Sequence, residues 1–156
     1  MGVAVACWLA KSEPEVYAIG DLARDGETGW EGVRNYQARN FLRAMQEGDL
    51  VLFYHSNAEP PGVAGIAAVA RPAFPDPTQF DRGSPYHDPT SPPDDPRWST
   101  VTLRFVEAFP HLVSLAALKA DPALAGLEVT RRGSRLSVHP VDPAHFARIA
   151  ALGRGR

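Results

Sequence analysis

A single cysteine, Cys7, stands in 156 residues, which excludes an internal disulfide and fits a reducing compartment, so the expected location is cytoplasmic. No apolar run is long enough to span a bilayer, and no membrane partner is expected. The opening Met1-Gly2-Val3-Ala4-Val5-Ala6 has no basic leader and no Ser or Thr at its sixth position, so neither a signal peptide nor myristoylation is expected. A surplus of positive charge is also lacking. The net charge of −2 argues against a bulk nucleic-acid binder that works by phosphate neutralisation. No Walker loop, dinucleotide glycine fingerprint, nucleophile elbow or HExxH string occurs. The five histidines lie far apart with no acid or Cys at a ligand spacing, so neither a metal nor a cofactor is expected. Cys7, among apolar neighbours, reads as an inert core thiol. No fixed period marks a repeat architecture.

What is present fits one soluble domain over residues 1–156, with 44% hydrophobic and 22% charged residues. Charge is uneven along it. Residues 131–156 hold six arginines against Asp142 alone, so one end of the chain offers a basic surface or simply a solvated charged face.

Periodicity predicts a buried strand from Val3 to Ala10, a short helix from Tyr17 to Ala23, and an extended piece from Trp30 to Val33. Asn35 is a good N-cap for a helix from Tyr36 to Met45. Apolar strands follow at Asp49–His55 and Gly62–Arg71. Residues 72–97 carry eight of the fifteen prolines and no periodicity; Phe74, Phe80 and Tyr86 mark them as a long ordered loop with aromatic anchors. A long strand (Trp98–Phe109), a short helix (Leu115–Ala120), a strand (Arg135–Val141) and a last helix from Asp142-Pro143 to Leu152 complete the chain. About five strands and four short helices, not regularly alternated, predict a compact mixed sheet of barrel-like form.

Two polar-aromatic segments carry the functional signal. Trp30-Glu31-Gly32-Val33-Arg34-Asn35-Tyr36-Gln37-Ala38-Arg39 joins an indole, a glycine and many hydrogen-bonding groups where a helix begins. Phe53-Tyr54-His55-Ser56-Asn57 ends an apolar strand. Such stretches suit a pocket for something flat and polar.

With Trp8-Leu9-Ala10-Lys11-Ser12-Glu13-Pro14, Asp76-Pro77-Thr78, Pro96-Arg97-Trp98 and Arg135-Leu136-Ser137-Val138, these segments resemble the EVE domain family in order and spacing, from about Trp8 to Leu152. The resemblance implies an α+β, PUA-like fold: a small mixed β-barrel with peripheral short helices, akin to YTH and ASCH domains. It also implies a non-enzymatic module that reads a modified base in DNA or RNA. The Ala-, Pro- and Arg-rich composition looks bacterial.

By likeness to the YTH layout, Trp30 and Trp98 are the expected walls of an aromatic cage, and their replacement by Ala is expected to abolish binding without unfolding the chain. A ring stacks on an aromatic wall regardless of its identity, so selectivity falls to groups along its edge. Ser12, Asn35, His55, Ser56 and the backbone of Val33 and Arg34 are the candidates. Ser12 and Asn35 serve equally well as helix caps. Lys11, Arg34, Arg39, Arg132 and Arg135 are candidates for nucleic-acid backbone contacts. The ligand is expected single-stranded or flipped, because a base inside a duplex cannot enter a cage. The alternative is an ASCH-type hydrolase or nuclease acting on RNA or modified nucleosides through Lys11, His55 or Glu13. A third reading, a protein-interaction module, predicts an exposed apolar patch in place of a pocket.

Overall fold

Strand β1 (Cys7–Ser12) divides the core by simple alternation. In the computed structural model, which describes residues 5–156, Cys7 and Leu9 join one hydrophobic cluster while Trp8 and Ala10 join another. Successive side chains of a strand point to opposite faces, so a strand apolar at every position must be covered twice. Strand β3 (Leu50–His55) behaves alike, giving Leu52 and Tyr54 to the first cluster and Val51 and Phe53 to the second.

Helix α1 (Ile19–Asp25) and helix α2 (Tyr36–Ala44) close the second cluster with Leu22, Ala38 and Leu42. Helix α3 (Leu115–Ala120) and helix α4 (Pro143–Gly153) close the first with Leu118, Phe146 and Ile149. Each of these leucine, isoleucine and phenylalanine side chains contributes about 1.5–3 kcal/mol on full burial. Asn35 caps α2, its side chain accepting from the Ala38 N–H at 2.9 Å. Pro143 occupies the first turn of α4 behind an Asp142 cap.

The remaining strands are β2 (Glu27–Gly29), β4 (Gly62–Pro75), β5 (Ser99–Ser114) and β6 (Val138–Val141). They form one six-stranded sheet in the order β2-β5-β4-β3-β1-β6. The β1–β3 pairing is parallel and the others are antiparallel. Buried Asp49 ties the start of β1 to the turn before β3. Its carboxylate accepts from the Trp8 indole at 3.0 Å and from the Gln46 N–H at 2.9 Å.

The mixed α+β sheet agrees with expectation, but it does not close into a barrel: β2 and β6 are its edges among the described residues. The first strand begins at Cys7, and the expected Val3 and Ala4 lie outside the described residues. Trp30–Val33, expected as an extended piece, adds little to the sheet. Trp30 N–H still bonds Val101 at 2.8 Å, but Gly32 then takes φ 88° and leaves the ladder. Strand β6 is shorter than expected, since residues 131–137 turn before it starts.

Strands β4 and β5 run unusually close at Gly65, where a Cβ would collide with the backbone carbonyl of Glu107. Gly65→Ala is expected to destabilise the fold by about 1–3 kcal/mol, because backbone gives way less readily than side chain. Urea unfolding checks this; an unchanged midpoint contradicts the close approach.

Candidate nucleic-acid interface

At the C-terminal end of β1 the polypeptide stops being apolar. Lys11 and Ser12 are half-buried, and a cavity of about 580 Å³ opens beside them. Ser12, Trp30, Gly32, Arg34 and Tyr86 are among its lining residues, with Lys11, Val33 and Ser56. A volume of this size is typical of a small-molecule site.

The wall from Trp30 to Arg34 is held by a carboxylate far away in sequence. Asp76 is fully buried and accepts from Gly32 N–H at 2.8 Å, Arg34 Nη1 at 3.1 Å and Thr78 N–H at 2.8 Å. Burial alone would raise its pKa, but hydrogen bonds from Thr78 and from the Gly32 N–H, and then Arg34, hold it below the ordinary carboxylate range. Arg34 in turn donates to the Tyr86 carbonyl at 2.7 Å and to Thr78 Oγ1 at 3.1 Å. The Tyr86 ring lies over Gly32, leaving no room there for a Cβ. Thus the long loop bends back onto the cavity wall, and its Tyr86 becomes part of the mouth with exposed Val16.

Trp30 is 8% exposed and sits edge-on to Phe53, with ring centroids 5.4 Å apart. Phe53 belongs to the core, so the indole is braced from behind while it borders the cavity. Glu31 is exposed at the rim; burial by its surroundings, then the nearby Asp76, raises its pKa. Lys11 lies 5.9 Å over the Tyr54 ring, and burial lowers its pKa against the opposing pull of Glu128.

Six of the nine expected ligand residues therefore line one cavity: Lys11, Ser12, Trp30, Val33, Arg34 and Ser56. Trp98 does not. Its ring is stacked on Tyr36 at 5.0 Å, its indole N–H donates to Asp88 at 2.7 Å, and the Arg34 guanidinium lies 5.4 Å over it. Asp88 is held down to about pKa 2 by Thr90 and by that indole. The two indoles do not share a cavity, and Trp98 serves as an anchor of the loop. Asn35 is spent on the α2 cap, and His55 accepts the Ile19 N–H at 3.1 Å through Nε2. Burial lowers the His55 pKa, which keeps that acceptor neutral. Ser12 Oγ donates to the Tyr17 carbonyl at 2.7 Å, so its hydroxyl holds the entry to α1 even though the residue lines the cavity.

Among the backbone candidates, Arg34 has its donors committed to the loop, and Arg39 donates to Asn40 and to the Arg97 carbonyl. Arg132 borders a second cavity, and Arg135 is exposed. Tyr86, Tyr17 and Asp76 were not expected. Asp76-Pro77-Thr78 signals a turn start in sequence, but its carboxylate reaches a glycine 44 residues away, which no local pattern reveals.

Asp76→Ala is expected to cost about 3 kcal/mol of stability by stranding Arg34 and the Gly32 N–H. Because the folded pKa of Asp76 is depressed, its contribution is complete above the unfolded value near 4 and fades as pH falls below it. Comparing urea midpoints of parent and Asp76→Asn between pH 7 and pH 3 tests this. The difference should shrink with acid; a difference that grows contradicts the clasp.

A model of the EVE domain matches residues 6–152. Human thymocyte nuclear protein 1 is 41% identical over 165 residues, spanning 93% of this chain and 72% of that protein. A crystal structure of human THYN1 protein in complex with 5-methylcytosine-containing DNA superposes with a TM-score of 0.89 at 40% identity, covering 95% of this chain and 97% of that one. A Pseudomonas putida crystal structure gives a TM-score of 0.92 at 51% identity, covering 95% and 99%. The YTH domain of Zygosaccharomyces rouxii MRB1 protein covers 98% of this chain and 92% of its own at a TM-score of 0.56. At 14% identity that likeness bears on the PUA-like fold alone. With the family model spanning nearly every residue, the chain belongs to the EVE domain family.

Proposed function

We propose that this chain, acting as a single domain, is a non-enzymatic reader that takes one modified nucleobase into the cavity beside Trp30. The observation that carries the reading is the cavity itself. A braced indole, the half-buried Lys11 and the polar strand ends of Ser12 and Ser56 meet in a space suited to one small planar guest. The human relative's complex with 5-methylcytosine-containing DNA supports a methylated pyrimidine as the first ligand to try, and RNA carrying a modified base is tested beside it. The base enters from a single strand or after flipping, because a stacked base presents no free face to Trp30.

In this arrangement Trp30 supplies the stacking face and Tyr86 and Val16 shield the guest from water. Ser56, Lys11 and the rim carboxylate of Glu31 meet its polar edge. Glu31 accepts well from an exocyclic amine such as that of a cytosine, and poorly faces a keto oxygen. His55 lends no weight to a hydrolase, since its Nε2 is engaged with the α1 backbone. The buried lone Cys7 suits a cytoplasmic setting.

Trp30 is too buried for Trp30→Ala to leave the fold intact; truncating a buried indole costs about 3–5 kcal/mol. Trp30→Leu keeps apolar bulk and removes the aromatic face. It is expected to weaken binding of a single-stranded oligonucleotide carrying one 5-methylcytosine by about ten-fold or more, from a stacking contribution of about 1–3 kcal/mol. Fluorescence anisotropy reads this, with circular dichroism confirming the fold. Equal affinity in parent and variant removes Trp30 from the site. Recovery of the oligonucleotide unchanged after long incubation is expected; a cleaved or altered product contradicts a pure reader.

A further inference from the structure

A second cavity of about 380 Å³ opens next to the first and shares Lys11 and Ser56 with it. Its floor is apolar, formed by Tyr54, Pro61, Leu115 and Val129, while Lys119, Arg131 and Arg132 stand around it. Arg131 is engaged by Glu128 at 3.1 Å. Lys119 and Arg132 are exposed and form no ion pair among the described residues.

Energetics require something of this kind. Flipping or unstacking a base costs a few kcal/mol, and one stacking contact returns about 1–3 kcal/mol. In the first cavity Arg34 is committed to Asp76, Thr78 and Tyr86, which leaves Lys11, shared with the second cavity, as its one lining cation outside an ion pair among the described residues. Resting on the base-reading role given above, we propose that the second cavity holds the neighbouring nucleotide of the same strand, its phosphodiester on Lys119 and Arg132 and its ring or sugar on the apolar floor. Lys11 stands at the junction, where a phosphate between the two nucleotides would pass. A lysine whose charge is already disfavoured by burial gains from an anion brought beside it. The occupant is thus a short single-stranded segment, not an isolated base, because a duplex keeps both neighbours stacked.

The test compares four probes by isothermal titration at one ionic strength: 5-methyl-2′-deoxycytidine, the same nucleoside with free inorganic phosphate, and two dinucleotides carrying it on the 5′ or the 3′ side. One dinucleotide is expected to bind roughly ten-fold tighter than the nucleoside, the scale of one charge-assisted contact. In the Lys119→Ala/Arg132→Ala variant, changed only at exposed positions, the ratio of dinucleotide to nucleoside affinity should fall to about one. The salt slope of oligonucleotide binding should fall by about 1 or more. A ratio preserved in the variant overturns the subsite, as does nucleoside binding to which neither dinucleotide adds. Free phosphate that reproduces the gain overturns the same-strand assignment. If neither nucleoside nor dinucleotide binds, the base-reading role falls and the subsite with it, an outcome distinct from loss of the flank gain alone.

Discussion

One buried carboxylate organises the wall of the first cavity. Asp76 draws the Gly32 N–H and the Arg34 guanidinium onto the long proline-rich loop, and the approach of Tyr86 to Gly32 follows from that draw. A carboxylate fully removed from water is costly unless several donors meet it, and this one has four: two backbone N–H groups, a hydroxyl and a guanidinium. The geometry is therefore stringent. Gly32 must adopt a positive φ, for which glycine alone is unstrained, and Tyr86 must lie where any side chain at that position would stand.

The second organising element is the alternation of β1. A strand that sends Cys7 and Leu9 one way and Trp8 and Ala10 the other continues the pattern past its apolar part. Lys11 comes to lie over Tyr54 of the first cluster, and Ser12 reaches the entry to α1. The end of β1 thereby stands where both cavities meet, with Ser56 beside it through a backbone bond from its N–H to Ser12 at 3.0 Å. A small sheet covered on both faces has few places where polar side chains reach the solvent without breaking a core. The carboxyl ends of its parallel pair, β1 and β3, are such a place.

Much of this was legible in the sequence. The Asn35 cap, the Asp142-Pro143 helix start and the Leu115–Ala120 helix follow from local rules and stand where those rules put them, and the five apolar strands exist with shifted ends. Strand β2 was missed because three residues, Glu27 to Gly29, are too few to show a period. The site was legible where it lies on a strand end or in the Trp30–Arg34 run. It was misread where a residue type suited two roles: Asn35 and His55 have the chemistry of edge readers, but backbone N–H groups at two helix starts claimed it. Trp98 followed the layout of a cage, yet Tyr36, Arg34 and Asp88 occupy its surroundings. Tyr86 was read only as a loop anchor and Asp76 only as part of a family motif; their place in the cavity wall was not legible because their partners lie 52 and 44 residues away, a separation that sequence periodicity does not encode.

In the proposed function the guest lies against Trp30 and not against Trp98. Of the three indole N–H resonances, those of Trp30 and Trp98 report this directly during titration with a single-stranded oligonucleotide carrying one 5-methylcytosine, because a stacked ring shifts nearby protons. A large shift is expected at Trp30 with Trp98 nearly still, held by Asp88. A shift at Trp98 with Trp30 unmoved, or no shift at either, would contradict it.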